Sequence, residues 1–409
     1  MTATRGPLAA LAVRPFRWWF ISQVTSASGL MTQGVALAWL VLQMTGSGVA
    51  LAGVSTATML PVLLLGLWAG SLLDHRDTRR VLIFTQSALT AMSLLLFVLI
   101  ETKHATYWPI IAVSLASGSV NALDSPARQV YVVELVGRDR LAGAVSLYEI
   151  ILNLSRVLGP AVGGALLATS GAGACILANA ISFLAPLAVL LYFKPRQAEE
   201  DADTDADDVD AGTDPAERPK ASEGLRYALD DPTLRACLIL AVGSTLIFNA
   251  SVMMPLLAHR VFHMNGSGYG LLLSIFGVGA LPGALLASRG HGVPTGQRVR
   301  VLAAATGVCM LITALAPDRA VLFIGMALVG ATSIWMIAVA NTLVQFRSAP
   351  ELRGRVMGAW TVALPGTNPI TGLIAGAVAD ACGPRIAFGG SGALMLVIGI
   401  GLWRSFGHD

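Results

Sequence analysis

The sequence predicts an all-α integral membrane protein: twelve transmembrane helices in two pseudo-symmetric six-helix bundles. Three observations carry this. Of 409 residues, 55% are hydrophobic and only 12% charged, with a mean hydropathy of +0.69. A soluble domain carries about 25% charge, so lipid must cover the apolar excess. Apolar stretches of about 20 residues, the length that crosses a bilayer, recur along the chain. One hydrophilic segment near the middle, Lys194 to Lys220, divides them evenly.

Six stretches precede that segment: Trp18 to Leu42, Val49 to Leu73, Val81 to Ile100, Trp108 to Val132, Ala142 to Ala168 and Cys175 to Phe193. Six follow it: Leu234 to Leu257, Tyr269 to Ser288, Val299 to Leu315, Ala320 to Val344, Val356 to Val378 and Ile386 to Leu402. An even number of spans puts both termini and the middle segment on one side. The great majority of the 27 Lys and Arg fall on that side, against Lys103, Arg260, Arg319 and Arg385 on the other and Arg156 within a span. The positive-inside rule therefore predicts cytoplasmic termini in a multi-pass inner-membrane protein.

The middle segment, KPRQAEEDADTDADDVDAGTDPAERPK, crowds acids from Glu199 to Asp214 and has almost no apolar bulk. Mutual repulsion with nothing to bury predicts a solvated, disordered linker. The expected organisation is residues 1–193 as one bundle, 194–221 as linker and 222–409 as the second bundle. The halves also resemble each other. Asp139 to Val145 (DRLAGAV) and Glu351 to Val356 (ELRGRV) each lead into a span with a mid-helix proline, Pro160 and Pro369. Such a repeat implies two equivalent bundles around a cavity. After the linker, Ser222 either caps a short surface helix, with Leu225 and Leu229 on one face, or begins an ordinary loop turn.

The pI of 8.8 does not imply nucleic acid, because the basic residues are scattered through short loops. Cys175, Cys237, Cys309 and Cys382 lie far apart in apolar segments and read as small buried residues. The N-terminus lacks a short apolar core before a small-residue cleavage site, so no cleavable signal peptide is expected. No phosphate-cradling G-x-x-x-x-G-K-[ST] and no HExxH, GxSxG or His/Cys cluster occurs in the sequence. Neither ATP-driven work nor an enzyme is expected, and no cofactor or metal.

Four sets of residues point to a polar mechanism inside the membrane. GSLLDHRDTRR, Gly70 to Arg80, follows span two. Gly70 allows close helix approach, Asp74 can cap a neighbouring helix N-terminus, and Arg79 and Arg80 suit an anionic leaflet. In span five, Glu149, Asn153 and Arg156 share one face at i, i+4, i+7. An intramembrane arginine costs at least about 2.5–3.5 kcal/mol, so Arg156 faces either a wet passage or a structural carboxylate such as Glu149 or Asp124. Gly159, Pro160, Gly163 and Gly164 kink and thin the same helix. Gln33, Asn249 and Asn341 are polar residues within spans, and Trp39 and Trp335 are aromatics suited to a cavity wall. Each is either a packing contact or a lining group.

The Gly70 to Arg80 stretch resembles the signature loop of the major facilitator superfamily, G-x-x-x-D-R-x-G-R-R/K. Gly70, Asp74, Arg79 and Arg80 match, while His75, Asp77 and Thr78 depart from it. Span five resembles the superfamily's antiporter motif, with Ser146 and Ser155 replacing two glycines. PFRWWF, span one and SEGLRYALDDPTLRA look most like the enterobactin- and macrolide-exporter branch, although Leu30, not an acid, follows Gly29. The resemblance implies the major facilitator fold and a charge latch joining Asp74 to Asp124, Arg128 and Arg355. The alternative for Asp124 is a solvated helix-end charge, and Arg128 at i+4 favours the latch. It also implies a monomeric secondary transporter, alternating access by rocking, and export of a small amphipathic or aromatic solute of siderophore or drug type. Proton antiport would then fall to Glu149, Asp124 or Asp380. Importer, lysophospholipid flippase and non-transporting sensor or scaffold remain the alternatives.

Because a solvated linker makes few contacts, deleting Ala198 to Asp214 should leave expression and membrane insertion unchanged. Loss of folded protein, measured by fluorescence-detected size exclusion, would contradict the linker assignment.

Overall fold

A computed structural model describes residues 7–73, 76–137, 141–193, 221–248, 250–288, 294–349 and 352–401. The linker, Asp74 and Asn249 lie outside these residues. Among the described residues the chain is helical and holds no strand.

Six long helices form the first half: α1 (Arg14–Thr45), α2 (Gly48–Leu73), α3 (Thr78–Glu101), α4 (Tyr107–Val136), α5 (Leu141–Thr169) and α6 (Gly171–Tyr192). A short helix α7 (Ala221–Asp230) precedes the second half. There the seventh pass is α8 (Pro232–Phe248) and α9 (Ala250–Leu256), ending in a π-helical turn over Leu257–Val261. Then come α10 (Gly266–Ser288), α11 (Gly296–Ala314) and α12 (Arg319–Arg347). The eleventh pass is broken into α13 (Arg353–Thr361), a π-helical turn over Val362–Gly366 and α14 (Asn368–Cys382), and α15 (Pro384–Gly401) is the last. Pro365 and Pro369 remove two backbone donors there, which explains the break.

Eleven passes among the described residues are long and apolar enough to span a bilayer. The remaining one, α4, has 30 residues but carries Asp124, Arg128 and Glu134. The expected spans match these helices within a few residues, and most helices run slightly further at the membrane boundary. Polar caps set several starts. Asp77 accepts from Arg80 N at α3, Thr295 from Arg298 N at α11 and Asp318 from Val321 N at α12.

The two halves repeat one packing pattern. In the first, α2 lies on α4, while α3 lies on α4 and α6. In the second, α10 lies on α12, while α11 lies on α12 and α15. Across the halves, α2 packs on α14 and α5 on α10. We call the surface with the start of α1 and the ends of α6 and α15 the near face, and the opposite surface the far face. Helix α7 packs on α8 and α13. Its described part runs from Ala221, and Ser222 is a helical residue within it. Leu225 and Leu229 are exposed along it and Ala228 is fully buried, as an amphipathic surface helix requires. Leu64, Phe84, Ile181 and Val397 are each more than half exposed, a surface suited to lipid.

Buried polar groups inside the first half find protein partners, because hydrocarbon offers none. Asn179 Nδ2 on α6 donates to Gln33 Oε1 on α1 at 2.8 Å and to Ser93 Oγ on α3 at 3.1 Å. Ser93 Oγ also donates to Gln33 Oε1 at 3.1 Å. Three helices are thus pinned at one level. Asn179→Leu removes the shared donor and should cost about 1 kcal/mol, lowering the unfolding midpoint measured by intrinsic fluorescence in detergent. An unchanged midpoint would show that this triad does not hold the half together.

Candidate functional site

The far face is shut by a carboxylate from one half capping a helix of the other. Helix α2 begins at Gly48, and the first backbone N–H groups of any helix lack partners within it. Asp380, two residues short of the end of α14, supplies the acceptor. Its Oδ1 accepts from Gly48 N at 2.9 Å, and its Oδ2 from Val49 N at 3.1 Å and Ser47 Oγ at 2.7 Å. The positive end of the α2 dipole favours this anion. Arg260, in the π-helical turn of the seventh pass, donates to Asp380 Oδ1 at 3.1 Å and also to the Gly46 carbonyl oxygen. One carboxylate, one guanidinium and one helix start therefore tie the halves together.

Backbone meets backbone beside this lock. A Cβ on Gly376 would lie 2.5 Å from the Gly48 carbonyl oxygen. A Cβ on Gly164 would lie 2.9 Å from Gly270 Cα, and one on Gly270 would lie 2.8 Å from the Pro160 carbonyl oxygen. Only glycine admits these approaches. Trp39 completes the seal. It is buried, stacked on Tyr269 at 6.0 Å and edge-on to His259 at 5.5 Å. Of the two readings of Trp39, packing contact or lining group, it is a packing contact between the halves in this arrangement.

Helix α5 carries the span-five residues. Thr32 Oγ1 of α1 donates to the Gly159 carbonyl oxygen at 2.9 Å, and Cβ atoms on Gly159 or Gly163 would crowd α1. Gly159 and Gly163 thus seat α5 on α1, while Gly164 seats it on α10. Pro160 is buried between them. Arg156 is exposed, and its carbonyl lies against Gly277 of α10, about two turns nearer the near face. Glu149 and Asn153 are on the same continuous helix, but their side chains lie outside the described residues.

Towards the near face, Asp124 is fully buried on α4. Its Oδ1 accepts from Thr85 Oγ1 at 2.6 Å and from Gln86 Nε2 at 2.8 Å, both on α3. Its Oδ2 stands in a close ion pair with Arg128 Nε that is not aligned as a hydrogen bond. Arg128 Nη1 donates to Gln23 Oε1 on α1 at 2.9 Å. The sequence-predicted pair Asp124–Arg128 is therefore brought together, bound to α1 and α3. Arg355 is half-buried on α13 of the other half, Gly70 lies on α2, and Asp74 lies outside the described residues. Arg79 and Arg80 each have a protein partner. Arg79 Nε donates to the Leu190 carbonyl oxygen at 2.7 Å, satisfying the C-terminal end of α6. Arg80 pairs with Asp77 on the surface at 3.4 Å.

Gln33 belongs to the Asn179 triad and borders a cavity of about 60 Å³ within the first half, shared with Leu30, Asn121 and Arg128. In the second half, the Arg298 guanidinium lies 5.5 Å from the Trp335 ring centre. Asn341 Oδ1 accepts from Gln345 Nε2 at 3.0 Å. Sequence reasoning named Asp380 only as a proton carrier and missed Arg260, Gly48, Gly270 and Gly376. Two signals were present. Arg260 is one of the few basic residues on the side that the charge rule leaves bare, and Gly266–Gly270 and Gly372–Gly376 are small-xxx-small pairs.

Two six-pass halves meeting through one polar lock and bare backbone are the architecture of a membrane transporter of the major facilitator superfamily. The chain belongs to the transmembrane secretion effector family, which it matches over residues 5–405. It is 28% identical to the multidrug efflux pump Tap of Mycolicibacterium fortuitum, over 98% of this chain and 96% of that one. It is 25% identical to the enterobactin exporter EntS of Citrobacter koseri, over 98% and 91%. A solved structure of a POT family transporter in complex with a thioalcohol-conjugated peptide superposes with a TM-score of 0.73 at 10% identity, covering 96% of each chain. That likeness concerns the fold alone.

If the Asp380 lock holds the far face shut, Asp380→Asn should open it. Losing about 1.4 kcal/mol from the seal raises the open fraction tenfold. The reporter is Leu30→Cys in a background with Cys175, Cys237, Cys309 and Cys382 replaced, labelled from the far side with an impermeant maleimide. Asp380→Asn should speed labelling, and an unchanged rate would remove Asp380 from the gate.

Proposed function

We propose that this protein is a secondary exporter of small amphipathic compounds, of drug or siderophore type, working by alternating access between its two halves. The observation that carries the reading is end-to-end similarity to relatives named as an efflux pump and an enterobactin exporter. The lock across Asp380 and the two glycine contacts fit a protein caught with one mouth shut.

Residues 1–193 and 222–409 are the two rocking bodies, and 194–221 is the tether between them. The near face is cytoplasmic, as the Lys and Arg bias requires. Glu149, Asn153 and Arg156 form the polar stripe of α5 that meets the solute or its coupling ion. Of the acids within the membrane, Asp124 is already engaged by Thr85, Gln86 and Arg128, and Asp380 by the start of α2. Glu149 is therefore the acid we assign to proton coupling. Asp74, with Arg355 and the Asp124–Arg128 pair, forms the opposing latch on the near face. Asn341 and Trp335 contribute the second half's wall of the passage.

The test is efflux from proteoliposomes across a panel of dyes, antibiotics and siderophores, with and without an imposed pH gradient. The wild type should export at least one of them faster with the gradient. Arg156→Ala should reduce that rate more than tenfold while reconstituting normally. Export of nothing in the panel would sink the exporter reading, and full activity in Arg156→Ala would remove that residue from the path.

A further inference from the structure

A groove on the outer flank of the α5–α10 seam is sorted by polarity along its length. It has a volume of about 650 Å³ and lies towards the far face. Its floor is α10, from Ser267 to Ser274, about 10 Å of helix rise. One wall is Ala161 and Ala165 of α5, from the first half; the other is Phe323 of α12, from the second. Ala161 and Ala165 are exposed, and Leu271 on the floor is 50% exposed. Ala161, Ala165, Leu271 and Phe323 offer a mostly apolar stretch that suits a hydrocarbon chain, and Ser274 Oγ is turned to the Gly270 carbonyl oxygen at 2.8 Å. At the membrane boundary the lining changes to His263, Asn265, Ser267 and Arg319.

That polar end is built. Arg319 Nε and Nη2 donate to the Phe262 carbonyl oxygen at 3.2 and 3.0 Å, and Nη2 to that of His263 at 3.3 Å, which fixes the guanidinium at the rim. His263 takes a left-handed backbone, φ 47°, unfavourable for a non-glycine residue. Asn265 Oδ1 is occupied capping α10, accepting from Gly268 N at 3.0 Å and Ser267 Oγ at 2.7 Å, which leaves its amide N–H₂ as donor. No acid lines the groove, and nearby Asp318 is committed to capping α12. One cation and several donors above an apolar trough match a phosphate above an acyl chain.

We propose that this groove is a binding site for an anionic phospholipid, its phosphate at Arg319 and His263 and one acyl chain along α10 between α5 and α12. The groove shares no lining residue with the cavity beside Gln33. Its walls come from opposite halves, and Gly164, which meets Gly270 in the seal, is part of its lining. A chain lodged there adds contact only while the far face is shut, so the lipid stabilises that state.

The test is native mass spectrometry of the full-length protein in detergent, titrated with phosphatidylglycerol, phosphatidylcholine or inorganic phosphate. One phosphatidylglycerol should be retained, with apparent affinity lowered at least tenfold by Arg319→Ala and by Ala165→Trp. The second variant fills the apolar trough without touching the polar end, so it carries the test if the first does not fold. Arg353→Ala, exposed on the near face, should retain wild-type binding. Undiminished retention in Ala165→Trp would overturn the proposal. Equal retention of phosphatidylcholine would overturn the anionic assignment, and full displacement by millimolar phosphate would reduce the groove to a simple anion site. The readout is binding, so it stands or falls independently of whether any compound is exported.

Discussion

Hydrocarbon offers no hydrogen-bond partner, and the arrangement of this protein follows from that constraint. Polar side chains within the spans must pair with one another or face a wetted passage. Asn179, Gln33 and Ser93 pair, and so do Asp124, Arg128, Thr85 and Gln86. Irregular backbone obeys the same rule. The π-helical turns of the seventh and eleventh passes fall where the halves approach each other. Arg260 of the first turn reaches Gly46, and Gly366 of the second faces Leu63 of α2. Broken helices are tolerated where the freed groups meet protein or line a wetted passage.

The same seam is made of small residues for a different reason. Inside lipid there is no hydrophobic gain in bringing two apolar helices together, so contact depends on close packing. Gly48 against Gly376 and Gly164 against Gly270 bring backbones together without side chains between them. Gly164 and Gly376 are 212 residues apart in sequence, and so are Asp139 and Glu351, which open the repeated segments. The duplication therefore supplies one glycine to each of the two inter-half contacts. Contacts of this kind are tight yet interlock little, so the halves can part without repacking their interiors.

The passes were legible because bilayer thickness sets their length and an apolar run of about 20 residues cannot hide. The rotation of each helix was not. A helix apolar all round shows no preferred face, so nothing near Trp39 foretold that it would stack on Tyr269 in a seal. Arg79 sat in a recognisable loop motif, yet its partner is the end of α6, more than a hundred residues away. Asp380 was visible as an acid in a span. Its partner Gly48 is 332 residues distant and offers only a backbone N–H, which no side-chain pattern reports.

The strength of the far-face lock is what makes it usable. Asp380 receives two backbone N–H groups, one hydroxyl and one guanidinium. Each net hydrogen bond contributes about 0.5–1.5 kcal/mol, and more when charged, so the set is worth a few kcal/mol. Inverting a two-state population from 1:99 to 99:1 needs about 5.5 kcal/mol of differential binding. A lock of a few kcal/mol thus biases the far mouth firmly shut while remaining within what one bound solute or ion can reverse. Several further charged links across the seam would exceed that limit and trap the protein. Bare glycine contacts and one exchangeable carboxylate keep it below.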